Sequence, residues 1–491
     1  MRFPRCMSTQ HPDNANPPFF AGESVLRGDA EVREAYYAFS HLGCDEQMWD
    51  YEGKEVDAFV VKKLLTRYES FFHKHALGQD IFLTLRVPNP RVERLEAKVL
   101  FETLESIPRS CDVARLLYGD DAPCPVFEVI LPMTTSAQEL NRVHHYYAEH
   151  IGNRERQNCL DVSFGDWVGE YRPKEINVIP LIEDLEHLLS ADAIVEEYLS
   201  DKSISYQRVF LARSDPALNY GQLAAVLLTK IALHRLQLLE RRIGVELLPI
   251  LGVGSVPFRG NLRPSRVEEF LAEYPSVQTF TIQSAFKYDH EPDAVQRAVN
   301  QILSTPRRQA LDIDEESCRA IIAKSAARYA EDVRALAPMI NAISAYIPAR
   351  RARKLHIGLF GYSRELDGHA EVRLPRAITF CAALYSIGLP PELLGWSGLT
   401  PSEIATVRSA YQHVNQDIGD SLRYLSKANM RYLPDVVRAD VETALDLFGG
   451  ESDAEHDELT TKIYQDIRTA QPSERISEQI EQAAVRRCFL G

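Results

Sequence analysis

The chain has 491 residues with a formal net charge of −15, and it is 45% apolar and 25% charged. These fractions are ordinary for a folded globular protein, and the acidic balance excludes general nucleic-acid binding, which needs a basic face. No run of about 18 uncharged apolar residues occurs, which argues against a membrane-spanning helix.

The N-terminal Met1-Arg2-Phe3-Pro4-Arg5-Cys6-Met7 lacks the apolar stretch of a secretory signal. The eight cysteines (6, 44, 111, 124, 159, 318, 381 and 488) include no C-x-x-C pair. That scatter argues against a zinc knuckle and a disulfide framework, and it predicts a reducing, cytoplasmic setting. Residues 1–30 are polar and Pro-rich, with His11 in a loop; Pro17, Pro18, Phe19 and Phe20 predict docking rather than fraying. Residues 44–52 cluster acidic and aromatic side chains and read as the entry loop of a helix over about 56–75.

From residue 80 onward apolar strands recur at 81–85, 126–131, 176–182, 209–212, 248–251, 277–282 and 356–360. Helical patterns separate them, at 91–106, 136–151, 186–200, 222–243, 265–273, 292–303 and 316–346. Short apolar strands alternating with helices predict a parallel sheet covered on both faces. Seven visible units predict an α/β fold of the (β/α)₈ barrel type, with an eighth strand unplaced and a doubly wound sheet as the alternative. Residues 370–491 are nearly all helical pattern, ending in an apolar tip, Cys488-Phe489-Leu490-Gly491. The expected organisation is one large catalytic domain, with an N-terminal segment (1–80), a barrel core (81–365) and a helical extension (366–491).

A barrel collects its chemistry at the C-terminal ends of its strands. Those ends hold Arg86, Met133-Thr134-Thr135, Glu183, Arg213-Ser214-Asp215, Gly254-Ser255 with Arg259, Gln283 with Lys287, and Tyr362 with Arg364. Glu183 and Asp215 on neighbouring units suit a hard divalent ion, and the arginines suit a phosphate or carboxylate ligand. Each residue also has a plain structural reading. Asp215 before Pro216 can cap a helix, Glu183 can sit on a helix dipole, and Arg86 can pair with Glu93 or Glu96. His144, His145, Glu149 and His150 read as a solvated helix face, and Arg350-Arg351-Ala352-Arg353-Lys354 as a surface or subunit contact. The loop Gly252 to Gly260 can present backbone N–H groups to an anion.

Arg5-Cys6-Met7-Ser8-Thr9-Gln10-His11-Pro12-Asp13-Asn14 resembles the opening signature of the short, archaeal-type phosphoenolpyruvate carboxylases. Pro180 to Leu185, Arg213 to Asn219 and Val256 to Gly260 resemble the same family, in order, over essentially the whole chain. The resemblance implies a cytoplasmic, homotetrameric carboxy-lyase that joins bicarbonate to phosphoenolpyruvate, giving oxaloacetate and phosphate as an anaplerotic supply. It implies Mg²⁺ or Mn²⁺ on Glu183 and Asp215, with His11, Arg86, Arg213, Arg259 and Lys287 catalytic. Gln10, Arg86, Ser255, Arg259 and Gln283 would bind substrate. The long carboxylases carry a lysine where this chain has Leu218, and Lys287 is the expected substitute. The alternative function is another lyase or mutase of phosphoenolpyruvate or pyruvate-enolate chemistry. The family mechanism also predicts that the N-terminal segment and residues 253–263 cover the barrel mouth.

Overall fold

The computed structural model describes residues 2–52, 54, 56–352, 364–366 and 369–491, with backbone alone at 364–366 and 369–371. Eight parallel strands close a barrel: β1 (Cys6–Ser8), β2 (Glu46–Asp50), β3 (Phe82–Arg86), β4 (Glu128–Leu131), β5 (Asn177–Ile182), β6 (Tyr206–Ala212), β7 (Glu246–Gly252) and β8 (Thr279–Ile282). Each strand pairs with its sequence neighbour, and β1 closes the ring on β8 through Cys6↔Phe280 and Ser8↔Ile282. The (β/α)₈ expectation therefore holds, while two strand assignments do not. β1 lies in the segment read as a Pro-rich loop, and β2 in the segment read as a helix entry. At three and five residues, both are too short and polar to show an apolar run. The strand expected at 356–360 lies outside the described residues, and the barrel closes without it.

The barrel interior is layered. At the N-terminal end, Arg208 of β6 forms two hydrogen bonds to Glu46 of β2, at 2.7 and 2.6 Å, and one to Glu128 of β4 at 3.0 Å. Above it, Met7, Met48, Ile130, Ile179, Phe210 and Ile250 form a separate apolar layer from six strands. Alternating inward positions produce such layers and fill the barrel rather than leaving a pore.

Helix Gln222–Ile243, whose apolar residues cover most of its faces, is buried over most of its length, as its pattern requires. Beyond the barrel, helix Glu315–Ser344 packs against the later helices Ala377–Ser386, Pro401–Ala410 and Asp435–Phe448. Thr400 and Glu403 form a reciprocal capping box at the start of Pro401–Ala410, as the Thr-Pro-Ser-Glu sequence predicts. The apolar tip is docked: Phe489, Leu490 and Gly491 are buried, and Leu490 N–H donates to the Asp13 carbonyl at 2.7 Å. Among the described residues no helix is long and apolar enough to cross a membrane.

Two further readings are corrected. Cys111 and Cys124 form a disulfide, tying helix Val99–Tyr118 to the chain entering β4, although the cysteine spacing argued against such a link. Arg350 and Arg351 are not surface residues. Arg350 donates to the Ala15 carbonyl at 2.7 Å and pairs with Glu481, while Arg351 is buried against Glu31 and Glu34. Arg353 and Lys354 lie outside the described residues.

Candidate active site

A cleft opens at the C-terminal ends of the strands, and its lining includes His11, Arg86, Glu183, Arg213, Asp215, Arg259 and Gln283. These residues are scattered over 273 positions of sequence and meet only because the strands close. Strand alternation aims two of them: Glu183 lies two positions past the inward-facing Leu181 of β5, and Arg86 two past the inward-facing Thr84 of β3.

The two carboxylates end neighbouring strands. Glu183 follows β5, where one of its oxygens accepts the Met133 N–H at 3.0 Å. Its reading as a helix-start charge fails, because Asp184 takes the N-cap of Leu185–Leu188 and accepts the His187 N–H at 2.9 Å. Asp215 sits in the first turn of helix Ser214–Tyr220, whose N-cap position is Arg213 without a side-chain cap bond, so Asp215 is not the cap. Two hard oxygen donors on one cleft wall fit Mg²⁺ or Mn²⁺, which keep water and substrate in their remaining positions. Among the described residues no group of three or more His, Cys, Asp or Glu side chains could hold a metal. That includes the His144–His150 stretch.

Arg86 does not pair with its own unit. Its Nε and Nη2 donate to Asp50 at 2.8 and 2.6 Å, and Nη1 lies 3.1 Å from Glu52. Asp50 also accepts Lys54 Nζ at 2.7 Å, and Lys54 reaches the Gln10 carbonyl at 3.1 Å. Burial disfavours the ionised Asp50, but Arg86 and Lys54 outweigh it and hold the carboxyl well below its usual range. Burial, partly offset by Asp50, lowers the Lys54 ammonium to about 8. His11 is half-buried, and its Nδ1 lies 2.9 Å from Thr9 Oγ1. Burial, reinforced by the charges of Arg86 and Lys54, pushes its pKa well below the ordinary histidine value, so the ring stays neutral.

Arg259 is buried and fully occupied. It donates to Ser214 Oγ at 3.0 Å, to Gln283 Oε1 at 2.6 Å and to the main-chain oxygen of Gly491 at 2.9 Å. A Cβ on Gly254 would stand 3.1 Å from both Arg259 Nη1 and Gln283 Oε1, so glycine there lets the two side chains meet. The anion-nest reading of this loop fails: the N–H groups of Gly254, Ser255, Phe258, Arg259 and Gly260 all donate within the protein. Arg213 is buried, and its Nε and Nη1 have no hydrogen-bond partner among the described residues.

Three expected residues fall outside the cleft lining. Lys287 is fully buried, its ammonium held by Glu34 at 3.0 Å, Ser8 at 3.1 Å and the Thr9 carbonyl at 2.9 Å. Gln10 turns inward, its Oε1 accepting the Asp50 N–H at 3.0 Å. Ser255 is buried behind Asp13. Tyr362 lies outside the described residues, as does the side chain of Arg364. The lining instead includes Asp50, Glu52, Lys54, Arg351 and Arg376, none of them expected in the site from the sequence. Asp50-Tyr-Glu-Gly-Lys54 follows a strand that the sequence pattern hid, and Arg376 enters from the helical extension.

A family model for phosphoenolpyruvate carboxylase matches residues 3–491. The chain belongs to the phosphoenolpyruvate carboxylase family. It is similar to the phosphoenolpyruvate carboxylase of Methanothermobacter thermautotrophicus, 53% identical over 492 aligned residues and 100% of both chains. That of Methanospirillum hungatei is 49% identical over 100% of both chains, and that of Pyrococcus furiosus 49% identical over 92% of this chain and 97% of the relative. As a member of the phosphoenolpyruvate carboxylase family, the chain is a carboxy-lyase by class.

Proposed function

We propose that the protein carboxylates phosphoenolpyruvate with bicarbonate, releasing oxaloacetate and phosphate, in a divalent-metal-dependent reaction. The observation that carries this reading is the meeting of Glu183 and Asp215 with Arg86, Arg259 and a neutral His11 around one cleft. Glu183 and Asp215 would hold Mg²⁺ or Mn²⁺, which when bound supplies Lewis-acid stabilisation of charge developing on the enol oxygen.

The chain's own residues account for the rest. Arg86, with Lys54 beside it, faces the phosphoryl group as a preorganised cation, since Asp50 and Glu52 fix its orientation before substrate arrives. Arg259 and Gln283 form a rigid polar wall. Neutral His11 takes the proton of carboxyphosphate, so that CO₂ is released beside the enolate. Residues 4–10 and 253–262, buried throughout, limit water, whose proton would quench the enolate to pyruvate. Lys54, which lines the cleft, replaces the buried Lys287 as the cation standing for the missing lysine at Leu218.

The same reading makes the chain one catalytic domain, a homotetramer of the cytoplasm and an anaplerotic source of four-carbon acid. A coupled oxaloacetate assay with labelled bicarbonate tests the reaction, with bicarbonate and Mg²⁺ omitted in turn. Asp215→Asn should raise the metal requirement sharply. Label-free product, or activity indifferent to metal, would reject the proposal.

A further inference from the structure

A second cleft, of about 350 Å³, lies between helices Val99–Tyr118 and Ala137–Tyr146, beside the ends of β3 and β4. Leu100, Leu104, Leu131 and Val143 give it an apolar lining. Its polar side is Asn89, Arg91, Glu139 and Arg142. Arg142 is exposed and has no ion pair among the described residues. Nothing in the proposed reaction uses this cavity.

Its polar side grips the turn that aims Glu183. Arg91 Nη2 donates to the Met133 carbonyl at 2.7 Å, and Arg91 Nε pairs with Glu139 at 2.8 Å. Asn89 donates to the Pro132 carbonyl at 2.9 Å, and Glu139 accepts the Thr135 N–H at 3.2 Å. Met133 itself, a non-glycine residue at φ +53°, donates its N–H to Glu183. A left-handed φ at methionine persists only where its surroundings hold it.

We propose that this cleft binds a small amphipathic anion, an aromatic or branched apolar body bearing a carboxylate or sulfonate, as an effector of the cation site at Glu183. The apolar body would lie on the leucines with its anionic head at Arg142 and Arg91. There the head competes with Glu139 for Arg91, loosens the Met133 turn and withdraws the N–H that orients Glu183. Ligand and divalent cation then weaken each other, and by linkage they do so reciprocally. The coupling rests on the assignment of Glu183 to the metal; the cavity itself does not.

The test titrates the full chain with 1-anilinonaphthalene-8-sulfonate by fluorescence, displaced by 3-phenylpropionate, with and without saturating Mg²⁺. One site is expected, weakened about fivefold by Mg²⁺. Arg142→Glu should weaken it about tenfold, the loss of one charge-assisted hydrogen bond. Leu104→Trp should fill the cavity and abolish binding, and Arg142→Glu keeps the test alive if that variant misfolds. Equal affinity in the parent and Arg142→Glu overturns the site. Binding that ignores Mg²⁺ overturns the coupling. Probe binding that behaves as expected in a protein unable to carboxylate phosphoenolpyruvate removes the functional reading and leaves the cleft.

Discussion

Asp50 and Arg86 face each other in register across β2 and β3, and the carboxylate takes two guanidinium hydrogen bonds at 2.8 and 2.6 Å. Both are buried, so the pair is a fixed element of the cleft wall rather than a surface contact. Arg86→Ala should therefore cost most of the turnover of phosphoenolpyruvate. Asp50→Ala should cost about 10²-fold in kcat/KM by freeing Arg86 from its position. The two losses should be strongly non-additive in a double-mutant cycle, whereas additivity would separate the residues functionally.

Activity should follow a bell in pH. His11, lowered by burial and two nearby cations, stays unprotonated until the pH falls well below the ordinary histidine value, so the acidic limb of kcat/KM should lie below 6.5. Lys54, lowered to about 8, loses its charge as the pH rises through that value and should set the alkaline limb. Lys54→Arg should move that limb upward, and an unmoved limb removes Lys54 from the site. His11→Asn should abolish oxaloacetate while sparing part of the bicarbonate-dependent phosphate release; full carboxylation by this variant removes the base assignment.

Gly491 is held where a side chain cannot go. A Cβ there would stand 2.1 Å from the Ile378 carbonyl oxygen and 2.6 Å from Ala382 N. Gly491→Ala should displace the tail and deprive Arg259 of a hydrogen bond, lowering kcat with little change in melting temperature. Wild-type kcat would show that Arg259 does not depend on this contact.

Asp332 is buried, and burial followed by the neighbouring Asp440 carboxyl raises its own carboxyl to about 9, against the pull of Arg328 at 2.8 Å. A raised folded-state pKa means the folded protein holds the proton that the unfolded chain releases. This contribution is thus complete below the ordinary 3.8 and is lost as the pH climbs to about 9. Asp332→Asn mimics the protonated form, so its melting temperature relative to the parent should rise across that window. A constant difference would contradict a protonated Asp332 in the folded protein.

The sequence by itself determined the barrel class, six of its strands, most of its helices and the two carboxylates at neighbouring strand ends. Those signals are local: an apolar strand is read from its own residues, and the residue after it marks the mouth. Glu183, Asp215 and Arg86 were legible for that reason, whereas His11 was legible only through a resemblance that spans the chain. Tertiary structure alone decided which charges meet. β1 and β2 are short strands recognisable only by their partners, so Asp50 and Glu52 read as a helix-entry loop. Lys287 looked available because nothing nearby in sequence shows that Glu34 neutralises it across 253 positions. Arg351, Arg376 and Gly491 reach the cleft or its wall from elements that fold onto the barrel. Ion pairing in a buried site depends on three-dimensional distance and desolvation, and neither is encoded in local spacing.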